Sequence, residues 1–185
     1  MSDLPRRTLL CATLLSAASA RAAGPTTAWS FALPSLDGGT LDFASFKGRV
    51  LLVVNTASFC GFAYQFEALE KLHRDLGPGG LTVLGVPSQD FDQESDSNAK
   101  VKQFCELTYG VEFPMTEIAH VRGQHPTPFY VWVRDTQGGW QPDWNFNKVL
   151  IGRDGLVKAT YRAGVEPGAP ALMRPLEQEL RRPGA

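Results

Sequence analysis

RVLLVVNTASFCGFAYQFEALEKLHRDLG, Arg49 to Gly77, changes its hydrophobic period once, and a cysteine, Cys60, stands at the change. Arg49 to Ala57 carries an unbroken Leu/Val run, the pattern of a strand covered on both faces inside a sheet. From Ala63 onward Phe66, Leu69, Leu72 and Leu76 recur at helical spacing, and Gly77-Pro78-Gly79-Gly80 stops the pattern. A buried strand running into an amphipathic helix opens a βαβ unit, and LTVLGVP, Leu81 to Pro87, supplies the second buried strand.

Outward from this unit the pattern continues. A polar loop, SQDFDQESDSN, precedes a helix expected over Asn98 to Thr108, with Val101, Phe104 and Leu107 as its apolar stripe. PFYVWV, from Pro128, reads as a strand, and KVLIGRDGLVKATYR as two strands turning at Arg153-Asp154-Gly155. Ala171 to Arg182 has helical composition, with Pro175 marking a start or a kink. On the other side, Trp29 to Gly48 alternates apolar and polar residues about Asp37-Gly38-Gly39, a β-hairpin. The expected fold is α/β: a central mixed β-sheet flanked by helices, with an N-terminal β-hairpin, an order that a thioredoxin-like architecture satisfies.

The N-terminus reads differently. Arg6 and Arg7, an apolar run from Thr8 to about Ala20, and the small residues at Ala20-Arg21-Ala22 form the pattern of an export signal over residues 1–22. The paired arginines resemble a twin-arginine signal but occur in ordinary secretory signals too, so both routes stay open. Residues 23–28 form a linker and 29–185 one domain, placed by this pattern in a bacterial periplasm. The apolar run is too short to span a bilayer, so no stable membrane association is expected.

With 18 Lys plus Arg against 19 Asp plus Glu and no long run of one sign, no footprint for nucleic acid appears. His73, His120 and His125 are scattered without metal-ligand spacing, and GPGG and DGG lack the phosphate-loop pattern, so neither a metal nor a cofactor is expected. Of three cysteines, Cys11 lies in the signal, behind Leu10 rather than the small residue of a lipoprotein site. Cys60 and Cys105 remain, either a static disulfide or a redox couple. A thiol at the start of a helix is biased toward the thiolate, the nucleophile that peroxides oxidise to sulfenic acid. A small buried apolar side chain is the alternative for Cys60 at this level.

The residues around Cys60 weigh against that alternative. Asn55, Ala57, Ser58, Cys60, Gly61 and Phe62 reproduce the Asn-x-Ala-Ser-x-Cys-Gly-Phe core of the glutathione peroxidase family, LGVPSQDF resembles its second motif and WNFNKVLIGRDG its third. The likeness runs from about Trp29 to Arg162 and points to the cysteine-containing branch, which lacks selenium. It implies a peroxidatic Cys60 supported by Trp144 and Asn145. An indole N–H and a carboxamide are neutral donors that can hold a thiolate, and then the charge moving onto peroxide oxygen, without quenching the nucleophile.

The family's glutamine is where this chain departs. In strict register its place falls on Asp90, a carboxylate that would raise the thiol's pKa if ionised nearby. Gln89, one position early, is therefore assigned the donor role. Cys105, in KQFCELTYGVEFP, resembles the family's resolving cysteine, which condenses with the sulfenic acid once the helix unwinds; a plain helix-face residue is the alternative.

The resemblance implies a thiol peroxidase for hydrogen peroxide or organic hydroperoxides, re-reduced by a thioredoxin-like protein or by glutathione. The short IAHVRGQHPTPFYVWV segment leaves little room for the loop of the tetrameric members and favours a monomer. Two rivals remain: a non-enzymatic redox sensor, and a thiol-disulfide oxidoreductase, for which Cys60-Gly61-Phe62-Ala63 lacks the second cysteine of C-x-x-C. A peroxiredoxin would carry a proline just before its cysteine, and TASFC has none.

Overall fold

The computed structural model describes residues 26–183. The expected export signal at 1–22 and the first part of the linker lie outside them. Strands β1 (Ala32–Pro34) and β2 (Thr40–Asp42) pair antiparallel as the expected hairpin. Its turn needs left-handed backbone at two consecutive positions, and Gly38 (φ 88°) and Gly39 (φ 72°) fill them without a Cβ clash. The chain continues through β3 (Val50–Thr56), α1 (Gln65–Leu76), β4 (Leu81–Pro87), α2 (Asn98–Tyr109), α3 (Pro128–Thr136), β5 (Lys148–Ile151), β6 (Val157–Tyr161) and α4 (Pro170–Leu180).

The main sheet has the order β4-β3-β5-β6, with β3 parallel to β4 and antiparallel to β5, and β5 antiparallel to β6. All seven residues of β3 are buried, as its unbroken Leu/Val run requires. The period of two divides them. Val50, Leu52 and Val54 face α1, α2 and α4 together with Val83 and Leu150. Leu51 and Val53 face α3 and the hairpin together with Leu84, Val149 and Ile151. Each fully buried Val or Leu contributes about 1.5–3 kcal/mol relative to exposure, so the register of β3 is strongly specified. This three-layer order is the thioredoxin-like arrangement.

One element differs from the sequence expectation. PFYVWV is not a strand but the first two turns of α3. Its aromatic, β-branched composition favours a strand, but Pro128 occupies the first helical turn, where a missing N–H costs nothing. Phe129, Tyr130, Trp132 and Val133 then form one buried helical face while Val131 lies half-buried. At the other end Pro170, rather than Pro175, opens α4, and Pro175 sits inside it. Helix α2 forms where it was expected, and is closed by Ser97 accepting from the Lys100 amide at its start and by Gly110 in left-handed backbone at its end.

Candidate active site around Cys60

Beyond Thr56 the chain leaves β3 and reaches Cys60 four residues later, before α1 has begun. Short-range bonds bridge the gap: the Ala63 amide donates to the Cys60 carbonyl (2.9 Å), Gln65 to Phe62 (2.9 Å) and Phe66 to Ala63 (3.0 Å). The cysteine therefore sits in the turn ahead of the helix, and its sulfur accepts a hydrogen bond from the Phe62 amide at 3.4 Å. It is 5 % exposed and belongs to the same buried cluster as Ala57, Ala63, Phe66 and Phe146. Phe59, immediately before it, is 67 % exposed.

Two other segments are fastened to this turn. The loop after β4 is joined to it by the Phe59 amide donating to the Gln93 carbonyl (2.9 Å) and by the Ser58 amide donating to Glu94 Oε1 (3.1 Å). Burial pushes the Glu94 carboxyl up, and the donors from Ser58 and Ser95 offset part of that rise. The segment ahead of β5 is held by Asn55, whose Nδ2 donates to the Trp144 carbonyl (3.0 Å) and whose own carbonyl accepts from the Phe146 amide (2.6 Å). Between those two bonds lies Asn145, fully buried. Phe146 follows it with φ 62°, a left-handed conformation unusual for a bulky residue and held by the Asn55 bond and full burial. The Trp144 ring lies 5.5 Å from that of Phe91 and is 40 % exposed.

Trp144 and Asn145 are thus gathered at the carboxyl end of β3, beside the turn that carries Cys60. Gln89 is not brought to the sulfur. Its Nε2 donates to the Glu94 carbonyl (2.5 Å) and its Oε1 accepts from the Glu94 amide (3.3 Å), so this carboxamide closes the 89–94 loop. The donor assignment to Gln89 is corrected accordingly. Asp90 is also turned elsewhere: Oδ1 meets His120 Nδ1 at 2.6 Å and Oδ2 accepts from the amides of Val121 (2.6 Å) and Arg122 (3.0 Å). Its carboxylate fastens the 120–122 loop, and the Arg122 guanidinium covers the Phe91 ring at 5.3 Å. The amide in the expected neighbourhood belongs to Gln93, whose Oε1 accepts from Asn145 Nδ2 at 3.0 Å.

Cys105 lies in α2, 2 % exposed, in the same cluster as Cys60, and both thiols are free. Burial, and then the charges of Glu94 and Glu106, push its thiol up to about 12, so it is protonated at neutral pH. Lys148, at the start of β5, was not singled out from the sequence. It is fully buried, and its Nζ donates to Gln65 Oε1 (2.6 Å), the Phe146 carbonyl (2.9 Å) and the Ala163 carbonyl (3.4 Å), joining α1 to the Asn145 segment. Burial lowers its ammonium to about 8. A lysine inside an otherwise apolar strand run was the available signal. Among the described residues no three His, Cys, Asp or Glu side chains gather into a metal-ligand set.

Residues 28–134 match the family model for glutathione peroxidase, a span that includes Cys60 and Cys105 and stops short of Trp144. A glutathione peroxidase of Lactococcus lactis subsp. cremoris is 36 % identical over 158 residues, covering 83 % of this chain and 97 % of the relative. A hydroperoxy fatty acid reductase of Synechocystis is 36 % identical over 151 residues, 76 % of this chain and 89 % of the relative. Among solved structures, Trgpx in its apo form superposes with a TM-score of 0.70 at 29 % identity, covering 87 % of this chain and all of that one. With the family model matching residues 28–134 and a relative 36 % identical over 158 residues, the chain belongs to the glutathione peroxidase family.

Proposed function

We propose that this protein is a thiol peroxidase in which Cys60 is the peroxidatic residue. The thiolate attacks the terminal oxygen of a hydroperoxide. A sulfur–oxygen bond forms, the O–O bond breaks, and the sulfur becomes a sulfenic acid while the remaining alkoxide or hydroxide takes a proton and leaves as alcohol or water. The observation that carries this is the short bridge from the cysteine turn to Asn145: Phe59 amide to Gln93 carbonyl, Gln93 Oε1 to Asn145 Nδ2. It ties the turn that carries a buried thiol, which already accepts a backbone N–H, to the buried carboxamide of Asn145, the residue after Trp144. Neutral donors fixed before the reaction stabilise charge on sulfur and on peroxide oxygen at no reorganisation cost.

Cys105 resolves the sulfenic acid: its sulfur bonds to that of Cys60, and the hydroxyl leaves as water. A thiol held at about 12 is a poor nucleophile where it lies. Opening of the last turns of α2 therefore accompanies this step, and a thioredoxin-like protein then reduces the disulfide. Organic hydroperoxides fit the surroundings. Exposed Phe59 and Leu107 border a groove of about 320 Å³ between the cysteine turn and α2, and the Synechocystis relative is named for hydroperoxy fatty acids. The protein acts as a monomer, and the 1–22 pattern supports a periplasmic location.

A thiol-disulfide oxidoreductase on the same fold is weaker, because Ala63 stands where its second cysteine would. The test is peroxide consumption by residues 23–185 with a thioredoxin system and, separately, with glutathione and its reductase, in wild type, Cys60→Ser and Cys105→Ser. Loss in Cys60→Ser under both donors, and in Cys105→Ser with thioredoxin only, is the expected pattern. Turnover indifferent to Cys60 overturns the proposal.

A further inference from the structure

Glu94 is a charged residue inside the site that the peroxide step does not use. It is 5 % exposed. One carboxylate oxygen is committed: Oε1 accepts from the Ser58 amide of the cysteine turn at 3.1 Å and from the Ser95 amide at 2.7 Å. The other, Oε2, is buried without a hydrogen-bond partner among the described residues. Burying an acceptor that receives no donor costs free energy that an apolar side chain in this place would not.

The carboxyl stands where the two cysteine segments meet. Phe59 and Phe104, the residues immediately before Cys60 and Cys105, bring their rings to 6.3 Å. Ser58 and Ser95, whose amides hold Oε1, line the same groove as Phe104 and Leu107 of α2. Of the charges that act on the Cys105 thiol, that of Glu94 is the larger, ahead of Glu106. Glu106 is exposed and rides on α2 with Lys102 3.7 Å away, whereas Glu94 is fastened to the turn of Cys60 and stays with it when α2 opens.

Resolution of a sulfenic acid needs two proton movements. Cys105 has to lose a proton to become the nucleophile, and the hydroxyl on Cys60 has to gain one to leave as water. One carboxyl can serve both, because the proton taken at one sulfur is the proton given at the other. Burial pushes Glu94 up, which makes its carboxylate a stronger base than an exposed one.

We propose that Glu94 is the catalytic proton shuttle of the resolving step. Oε2 takes the proton of Cys105 Sγ as α2 opens, the Sγ–Sγ bond forms while the S–O bond on Cys60 breaks, and the same proton goes to the departing oxygen, which leaves as water. The Cys105 sulfur is oxidised and the Cys60 sulfur reduced, so no further reactant enters. The inference rests on the proposed roles of Cys60 as the peroxidatic and Cys105 as the resolving thiol.

The test is reaction of fully reduced protein with one equivalent of hydrogen peroxide, quenched at intervals and read by mass spectrometry for sulfenic acid and disulfide, in wild type, Glu94→Gln and Cys105→Ser. Glu94→Gln keeps an acceptor for the Ser58 and Ser95 amides but cannot carry the proton. It is expected to slow disulfide formation about 10²-fold relative to sulfenic acid formation, and the deficit is expected to narrow as pH rises and hydroxide replaces the missing base. A charge that merely raised the Cys105 thiol would give the opposite sign, a faster disulfide step on its removal. If Glu94→Gln does not fold, Glu94→Asp decides by the same split between the two steps. A ratio of the two steps within about threefold of wild type, a faster disulfide step, or a deficit that does not change with pH overturns the role of Glu94. Wild type that stops at the sulfenic acid, as Cys105→Ser is expected to, overturns the resolving assignment, and this inference with it.

Discussion

Asn55 donates its side-chain Nδ2 to the carbonyl of Trp144 across 89 positions of sequence, at 3.0 Å. The same residue's backbone takes the Phe146 amide, so one asparagine at the end of the central strand holds both flanks of Asn145. The site is therefore registered to the stiffest element of the sheet, where fully buried neighbours on both faces leave β3 little freedom to move.

Replacing Asn55 by alanine should expose this dependence. The Trp144 carbonyl loses a buried partner, and the left-handed turn at Phe146 loses part of what holds it. Chemical denaturation is expected to show a loss of about 1–3 kcal/mol. Oxidation by peroxide, followed in the folded variant, is expected to slow by about 10- to 10²-fold through misplacement of Asn145. A destabilised variant with an unaltered oxidation rate would separate the clamp from the chemistry.

Cys105 is expected to be silent until α2 opens. Its thiol is raised to about 12, so in the native protein at pH 7–8 iodoacetamide should label Cys60 and spare Cys105, as read by peptide mass spectrometry. The raised value also sets a sign. A thiol whose folded pKa exceeds its unfolded one stabilises the fold fully below about pH 8.5 and progressively less as pH rises toward the folded value. The stability gap between wild type and Cys105→Ala should narrow, or reverse, across that alkaline window.

Lys148 carries the opposite sign. Its ammonium is lowered from 10.5 to about 8 by burial, so the unfolded chain binds the extra proton between those values and stability rises with pH across them. The full excursion is worth about 3 kcal/mol. Urea titrations of wild type and Lys148→Met at pH 7.5 and pH 10 isolate it, because both proteins carry Cys105. Wild type should gain on the variant as pH rises, and a constant difference would mean that burial leaves the lysine as fully charged in the fold as in the unfolded chain.

Much of this architecture was legible because it follows from period and punctuation. The Leu/Val runs of β3 and β4, the helical spacing of α1 and the Asp37-Gly38-Gly39 turn each specify their element locally. Helix α3 was not legible in the same way. The composition of Phe129 to Val133 argues for a strand, and only Pro128 and a single buried helical face, visible once α3 packs on β3 and β5, argue for a helix. In the site, Cys60, Trp144 and Asn145 were recognisable from motif. The amide was not, because a register shift of one residue gives no sign that Asp90 will turn to a loop thirty residues away or that Gln89 will close its own turn. The parts of Asn55 and Lys148 lie in bonds across distant segments, which spacing along a chain does not encode.

The central claim is that Cys60 is the thiol that peroxide oxidises, and mass spectrometry tests it most directly. Reduced protein is treated with one equivalent of hydrogen peroxide in the presence of a sulfenic-acid trap, and the adduct is located by peptide. The account predicts the adduct on Cys60 in the Cys105→Ser variant and a Cys60–Cys105 disulfide in wild type, with Cys60→Ser unmodified on the same timescale. An adduct that forms first on Cys105, or peroxide loss that persists in Cys60→Ser, contradicts it.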